Sequence, residues 1–364
     1  MIARNYSFRD LDWLLIFSVV SICMIGIVQI FSATSSTSLD NSWWKQIIFL
    51  LVGLLLMTVL STMDYHVLVE HVPLFYLAVV AGLIAVLIFA PRINGARSWI
   101  PMPGGFNLQV SEFSKVVILL VVARYLSEVR TDHLSISDLL RLGAVVGVPW
   151  LLIVVEPDLG TALTIVPIVA VGVFVGGLRW QHLVVIVLLI ALVLPAGWLF
   201  LKDYQKARLM TFVDPAADPL GSGYQVIQSL IAVGSGGVWG KGIAQGSQTQ
   251  FRFLPETHTD FIMSTFAEEH GFVGVVIVLS LYFMLLMQII QNAQMAPDRA
   301  GMFLCVGVAA LILFHLAVNV GMVIGKMPVT GIPLPLMSYG GSSLLTMFLM
   351  LGLVQSVRLR RLVI

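Results

Sequence analysis

Of 364 residues, 59% are hydrophobic and 11% are charged, where soluble domains carry roughly a quarter charged. A mean hydropathy of +0.98 over that length is more than one buried core can absorb, which excludes a soluble globular protein and leaves an integral membrane protein. The formal net charge of +1 gives no reason to expect a nucleic-acid partner, so the distribution of charge matters more than its sum. Cys23 and Cys305 both lie in apolar runs, and neither a disulfide framework nor a reactive thiol is expected of them.

A crossing helix needs about 20 mostly apolar residues. In chain order such runs fall at roughly 12–32, 44–62, 73–90, 111–127, 138–155, 160–177, 181–201, 269–292, 300–325 and 337–357. No small-residue cleavage site follows the first run, which therefore reads as a retained span. The pattern predicts an all-α integral membrane protein with about ten transmembrane helices, organised as a single polytopic membrane domain over 1–364. The connections are short with two exceptions: a Pro/Gly-rich loop over 91–110 and a longer one over about 202–268.

Lys and Arg in short loops set the orientation. With the N-terminus inside, the inner segments hold Arg4, Arg9, Arg124, Arg130, Arg141, Arg179, Arg299, Arg358, Arg360 and Arg361, ten in all. The short outer segments hold four: Lys45, Arg92, Arg97 and Lys326. Both termini are then cytoplasmic, and the loop 202–268 is extracytoplasmic. There is no P-loop and no dinucleotide fingerprint. Chemistry at an outer site has no access to ATP and needs a substrate that arrives activated, or an ion gradient.

Several segments place ionisable groups where they are costly. "SEFSKVVILLVV" (111–122) carries Glu112 and Lys115 on one helix face, with Lys115 inside the span. Such a pair fits a function, and fits equally a self-neutralising pair whose lysine snorkels outward. "EPDLGTAL" (156–163) sits in a tight outer turn. Asp158 is a natural N-cap there, which leaves Glu156 less well explained and points to binding or positioning. "NGARSWIP" (94–101) sets Arg97 beside Trp99, a fork for phosphate oxygens or simply a headgroup anchor. "YQKARLMTF" (204–212) adds Lys206 and Arg208, and Lys241 follows. Together with Lys115 these outer cations fit an anionic lipid-linked substrate, or ordinary leaflet binding. "MPVTGIPLPLMSYGGSS" (327–343) has three prolines before small residues; Ser338, Tyr339, Ser342 and Ser343 suit a substrate groove or close helix packing.

The most polar cluster is "FLPETHTDF" (253–261), with Glu256, Thr257, His258, Thr259 and Asp260. Thr257-x-x-Asp260 resembles a capping box for a helix starting near 258, with Asp260 in its first turn. A metal set of His258, Asp260, Glu268 and His270 lacks a specific ligand spacing.

Taken together, "NGARSWI", "QVSEFSK", "EPDLGTAL", "GSGYQVIQSLIAVGSGGVWGKG", "FLPETHTDFIMSTFAEEHGFVG" and "MPVTGIPLPLMSYGGSS" resemble signatures of the shape, elongation, division and sporulation (SEDS) family, in the family's order, over about residues 94–345. Within it, "GSQTQFRFLPE" and "PVTGIPLPLMSYGG" look like the elongation branch. The division branch usually has a different stretch before its "LPEAHTDF" and "KGLTLPF"-like text where this chain has "TGIPLPL". The resemblance implies a peptidoglycan glycosyltransferase that polymerises lipid II at the outer face of the bacterial cytoplasmic membrane and releases undecaprenyl pyrophosphate. It implies a class B penicillin-binding protein of the elongation complex as transpeptidase partner. It also carries the family's essential carboxylate onto Asp260 and its E-x-x-K pair onto Glu112 and Lys115. The Glu256-Thr257-His258 run departs from the Ala or Arg that many relatives have before the His.

That chemistry suits these residues. The 4-hydroxyl of an acceptor sugar needs one base, and the pyrophosphate leaving group needs cations rather than a second acid. Asp260 would be the base, with Arg97, Lys115, Arg208 and Lys241 as candidate cations. Glu112, Glu156, Asp158, His258, Ser338 and Ser342 would contact or position substrate. No cofactor is required; Asp260 holding a divalent cation, Mg or Mn, across the pyrophosphate is the alternative. A lipid II flippase and a scaffold without chemistry are the competing classes.

Overall fold

The structure, a computed structural model, describes residues 10–35, 42–91, 97–102, 106–129, 133–197, 203–215 and 223–361, and the single positions 131, 199, 218, 219 and 221. Arg4, Arg9, Arg92 and Arg130, used above for orientation, lie outside them.

In lipid every backbone polar group must be satisfied within the protein, so apolar runs become helices. Ten helices match the ten expected spans. They are α1 (Trp13–Thr34), α2 (Ser42–Thr62), α4 (Val72–Phe89), α5 (Val110–Glu128), α6 (Ile136–Val155), α7 (Leu159–Val175), α8 (Trp180–Gly197), α12 (Ile262–Gln294), α13 (Arg299–Val323) and α14 (Gly341–Arg360). Between them stand the short α3 (Tyr65–Glu70), α9 (Asp203–Val213), α10 (Tyr224–Ser235) and α11 (Ser247–Gln250). Seven of the ten are long and apolar enough to cross a membrane by length and composition alone. The exceptions are α7, with 17 residues, α8, whose apolar stretch Trp180–Leu189 is shorter, and α5, which carries Glu112, Lys115, Arg124 and Glu128. A small antiparallel hairpin, β1 (Trp99–Met102) with β2 (Phe106–Gln109), pairs Trp99 with Gln109 and Ile100 with Leu108. It is the one departure from an all-helical chain among the described residues.

Two boundaries differ from expectation. Residues 262–268, within the outer loop by the span count and within a helix from near 258 by the capping pattern, are helical: α12 starts at Ile262 and is broken at Gly271 (φ 64°, ψ −167°), so a short helix over 262–270 precedes the long crossing part. Only glycine adopts that backbone without strain, and a Cβ there would strike the backbone nitrogen of Gly240 at 2.3 Å. The last span starts at Gly341, not 337, because Pro328, Pro333 and Pro335 keep 327–340 out of regular structure. The long loop itself is largely built, from α9, α10 and α11.

α13 packs against α5, α7, α12 and α14, and α14 lies along α2, so α13 and α14 are the most enclosed crossings. Asp12, the N-cap of α1, accepts from Arg358 Nη1 of α14 and Asn292 Nδ2 of α12, each at 3.0 Å. The start of α1 and the end of α14 therefore share one end of the bundle, as an even number of crossings requires. The starts of α5, α7, α12 and α14 meet at the other.

Candidate active site

At that second end lies a cavity of about 410 Å³. Its walls come from the hairpin, the turn before α7, the turn before α12, α13 and the proline-rich segment 327–340. Glu112, Asp158, Glu256, Asp260, His315 and Ser342 all line it.

Asp260 belongs to the turn 257–261, ahead of α12. The expected capping box does not form: the N-cap of α12 is Phe261, with no side-chain cap bond. The turn is instead shaped by Glu256, which at φ 50° accepts from the Phe261 amide at 3.2 Å. Tertiary contacts then lay it on the proline-rich segment. Asn319 Nδ2 of α13 donates to the carbonyls of Asp260 and Ile332, both at 2.9 Å. Ser338 Oγ donates to Thr259 O at 2.7 Å, and the Tyr339 amide donates to His258 O at 2.9 Å. Gly331, at φ 72°, brings its backbone so near that a Cβ would lie 3.4 Å from Asp260 Oδ2.

The Asp260 backbone is thus pinned, while no described residue donates a hydrogen bond to its carboxylate. Burial, then the Glu256 carboxylate, push its pKa up to about 6, against the pull of Arg208. A carboxyl with that value is mostly ionised at neutral pH yet basic enough to take a proton.

The other expected site residues divide. Glu112 lines the cavity with its Oε2 2.7 Å from Lys115 Nζ. Lys115 is fully buried (0% exposed), so it does not snorkel, and it is not part of the wall. Asp158 lines the cavity and caps α7 through the Thr161 amide at 3.1 Å, as its spacing suggests. It also accepts from Gln109 Nε2 at 2.7 Å and Ser111 Oγ at 3.1 Å. Glu156 is buried beside the wall, and neither carboxylate oxygen has a hydrogen-bond partner. Burial and the Asp158 charge push its pKa up to about 8. Ser342 lines the cavity and joins it to β2, accepting from the Gln109 amide at 3.0 Å and donating to Asn107 O at 3.2 Å.

Several lie outside the wall. His258 packs its ring 5.6 Å from that of Tyr339, and burial holds its imidazole below the ordinary value despite Glu256. Ser338 works from behind, through Thr259. Arg97 donates to Leu87 O at 3.0 Å, while its neighbours Ser98 and Trp99 reach the cavity. Arg208 is exposed on α9, close enough for its charge to act on Asp260.

Lys241, expected as a substrate cation, is not part of the cavity wall. It pairs with Glu268 at 2.7 Å and donates to Ser247 Oγ at 2.9 Å, which folds the chain before α11 onto α12. Glu269 likewise accepts from Ser32 Oγ at 2.5 Å and Gln29 Nε2 at 3.2 Å of α1. His270 stacks on Phe266 at 4.3 Å. Glu268 and His270 are therefore committed elsewhere, and among the described residues no three His, Cys, Asp or Glu side chains are grouped to hold a metal ion.

The sequence reading passed over His315, which lines the cavity, and Asn319, which holds the Asp260 backbone. Their signal was present: two polar side chains four residues apart in an apolar run, on one helix face.

Residues 12–361 match the cell cycle protein family of FtsW, RodA and SpoVE. The chain is 34% identical to the peptidoglycan glycosyltransferase RodA of Treponema pallidum, over 97% of this chain and 98% of the relative. It is 39% identical to the peptidoglycan glycosyltransferase MrdB of Escherichia coli K12, over 85% and 84% of the two. Its fold is similar to a chain in a structure described as structural coordination of polymerization and crosslinking by a peptidoglycan synthase complex. That likeness has a TM-score of 0.82 at 38% identity and covers 97% and 98% of the two chains. A crystal structure of the rod shape determining protein RodA of Thermus thermophilus follows, at TM-score 0.71, 32% identity and the same coverages.

Proposed function

This chain belongs to the cell cycle protein family of FtsW, RodA and SpoVE, and on that premise we propose that it is a peptidoglycan glycosyltransferase with Asp260 as its general base. The observation that carries the reading is a carboxylate with a pinned backbone and no donor of its own, opening into a polar cavity at one end of a membrane bundle. The substrate is lipid II. The acceptor sugar's 4-hydroxyl attacks C1 of the donor sugar, and its proton passes to an Asp260 oxygen. The bond from C1 to the pyrophosphate oxygen breaks, and the undecaprenyl pyrophosphate leaves with the electron pair. Direct displacement inverts the α-linked donor to a β-1,4 bond. Arg208, whose charge already reaches Asp260, and Arg97 near the rim are the cations for the leaving group; Lys115 acts through Glu112.

The excess of Arg in the segments at the opposite end supports an outward cavity in the bacterial cytoplasmic membrane, with both termini inside. The neighbour described as coordinating polymerization and crosslinking supports a class B penicillin-binding protein of the elongation complex as partner. Co-purification with the elongation or the division transpeptidase tests that assignment.

The decisive assay is glycan-chain formation from purified lipid II by the wild type, Asp260→Ala and Asp260→Asn. Full activity in both variants would remove Asp260 from the chemistry. Lipid II movement across sealed vesicles without polymer would make the protein a flippase. Activity abolished by a chelator and restored by Mg or Mn would give Asp260 the cation-holding role.

A further inference from the structure

His315 of α13 lies at the cavity wall and is 1% exposed. Its two ring nitrogens have different surroundings. Nδ1 is 3.0 Å from the carbonyl oxygen of Pro333. A carbonyl only accepts, so Nδ1 carries the hydrogen, and in the neutral ring Nε2 keeps a bare lone pair. Nε2 is itself enclosed and has no hydrogen-bond partner among the described residues, and Lys115 Nζ, held by Glu112, does not supply one. Buried acceptors are nearly always paired, so an unpaired one in a side chain of the cavity wall marks a place where a ligand, with a small turn of the ring, brings the donor.

We propose that His315 Nε2 accepts a hydrogen bond from a hydroxyl or amide N–H of the sugar held in the cavity, and so fixes that sugar relative to Asp260. The proposal rests on the glycosyltransferase reading above. The chemistry also orients the substrate. A sugar offers hydroxyl and acetamido donors, whereas ionised pyrophosphate offers only acceptors. The lone pair therefore selects the sugar and places the pyrophosphate away from α13. The link to Asp260 is short: Asn319, one turn along the same helix face, donates to Asp260 O and to Ile332 O, next to the Pro333 that orients the ring.

The test uses the full chain in nanodiscs with lipid II. His315→Phe keeps an aromatic ring and removes the acceptor; His315→Gln keeps an amide oxygen acceptor and an amide donor. Expected is a rise in KM and in the Kd for lipid II of about ten- to hundredfold in H315F, with kcat less affected, and values within severalfold of wild type in H315Q. Nitrogen-labelled histidine spectra of the wild type, with the signal lost in H315Q identifying one of the seven histidines, should show hydrogen on Nδ1 alone and an Nε2 signal that moves on adding lipid II. Unchanged KM and Kd in H315F would overturn the proposal, as would a ring with hydrogen on Nε2. If the wild type binds lipid II but makes no polymer, the glycosyltransferase reading fails, and the Kd comparison and the spectra still decide the role of His315.

Discussion

Two groups of buried side chains, one at the start of α1 and one around the cavity, are bonded differently, although Asp158, Glu268 and Glu269 at the cavity end are bonded as fully as Asp12. At the end where α1 begins, Asp12 accepts from Arg358, Asn292 and its own helix, and its backbone exchanges hydrogen bonds with Gln355. Nearby, Arg360 is 3.2 Å from Asp64 and donates to the carbonyls of Thr62 and Ser356 at 3.0 Å. At the cavity end, Glu156 is buried without hydrogen-bond partners, Asp260 has a fixed backbone and an unbonded carboxylate, and His315 has one satisfied nitrogen and one bare. A satisfied network holds a fold in one arrangement; unsatisfied groups cost stability and persist where a ligand completes them. The same helices carry both patterns, so the contrast separates the parts that hold the molecule from the parts that work.

The sharpest break of that contrast is Asp260→Ala. It should lower polymerisation by about 10²–10⁴-fold while leaving the thermal unfolding midpoint at or above that of the wild type. At the other end Asp12→Ala should do the reverse. Stranding Arg358 and Asn292 should cost about 3–5 kcal/mol in unfolding experiments, with activity per folded molecule unchanged.

Asn319→Ala sits between the two, since its amide serves both the fold and the site. It should cost about 2 kcal/mol for two lost donations, and polymerisation by the folded fraction should also fall.

A smaller effect lies in pH. Asp260 acts as a base only when ionised, so the rate should rise through a midpoint near 6 and fall about tenfold per unit below it. Because folding raises this carboxyl above its ordinary value of 3.8, its contribution to stability has the opposite sign: it is lost as pH rises towards 6. Glu256→Gln removes the neighbouring charge and should move the activity midpoint to lower pH. The smallest effect is expected at the exposed Glu128, paired with Arg124 at 3.1 Å, where Glu128→Ala should change stability by no more than about 0.5 kcal/mol.

The crossings were legible because lipid leaves an apolar run few options besides a helix. The start of α12 was legible only in part: the capping pattern put a helix start near 258 and the apolar run a span from 269, while the break at Gly271 and the contacts of Glu268 and Glu269 with Lys241, Ser32 and Gln29 appear only in the fold. The pairing of Lys241 was equally out of view, because its partner Glu268 is 27 residues further on. In the site, Glu112, Asp158, Asp260 and Ser342 do meet at one cavity. The capping box failed because tertiary contacts to Asn319 and Ser338, not local ones, hold that turn. His315 and Asn319 were visible as costly polar residues, but only the fold shows that the segment 327–340 passes in front of them.

That segment also bears on how the protein is made. Residues 327–340 have no helix of their own to satisfy them, and their carbonyls are held by side chains from separate crossings: Gln46 of α2 at Ser338, Tyr282 of α12 at Pro335, and His315 and Asn319 of α13 at Pro333 and Ile332. Crossing helices can be stable in the bilayer singly, before they assemble laterally. This stretch cannot, because its partners arrive only with the neighbouring helices. Its closure, and with it the seating of Asp260, should therefore follow the assembly of those crossings, so that protection of residues 327–340 from a water-soluble labelling reagent falls later than protection of the crossings in a newly inserted chain.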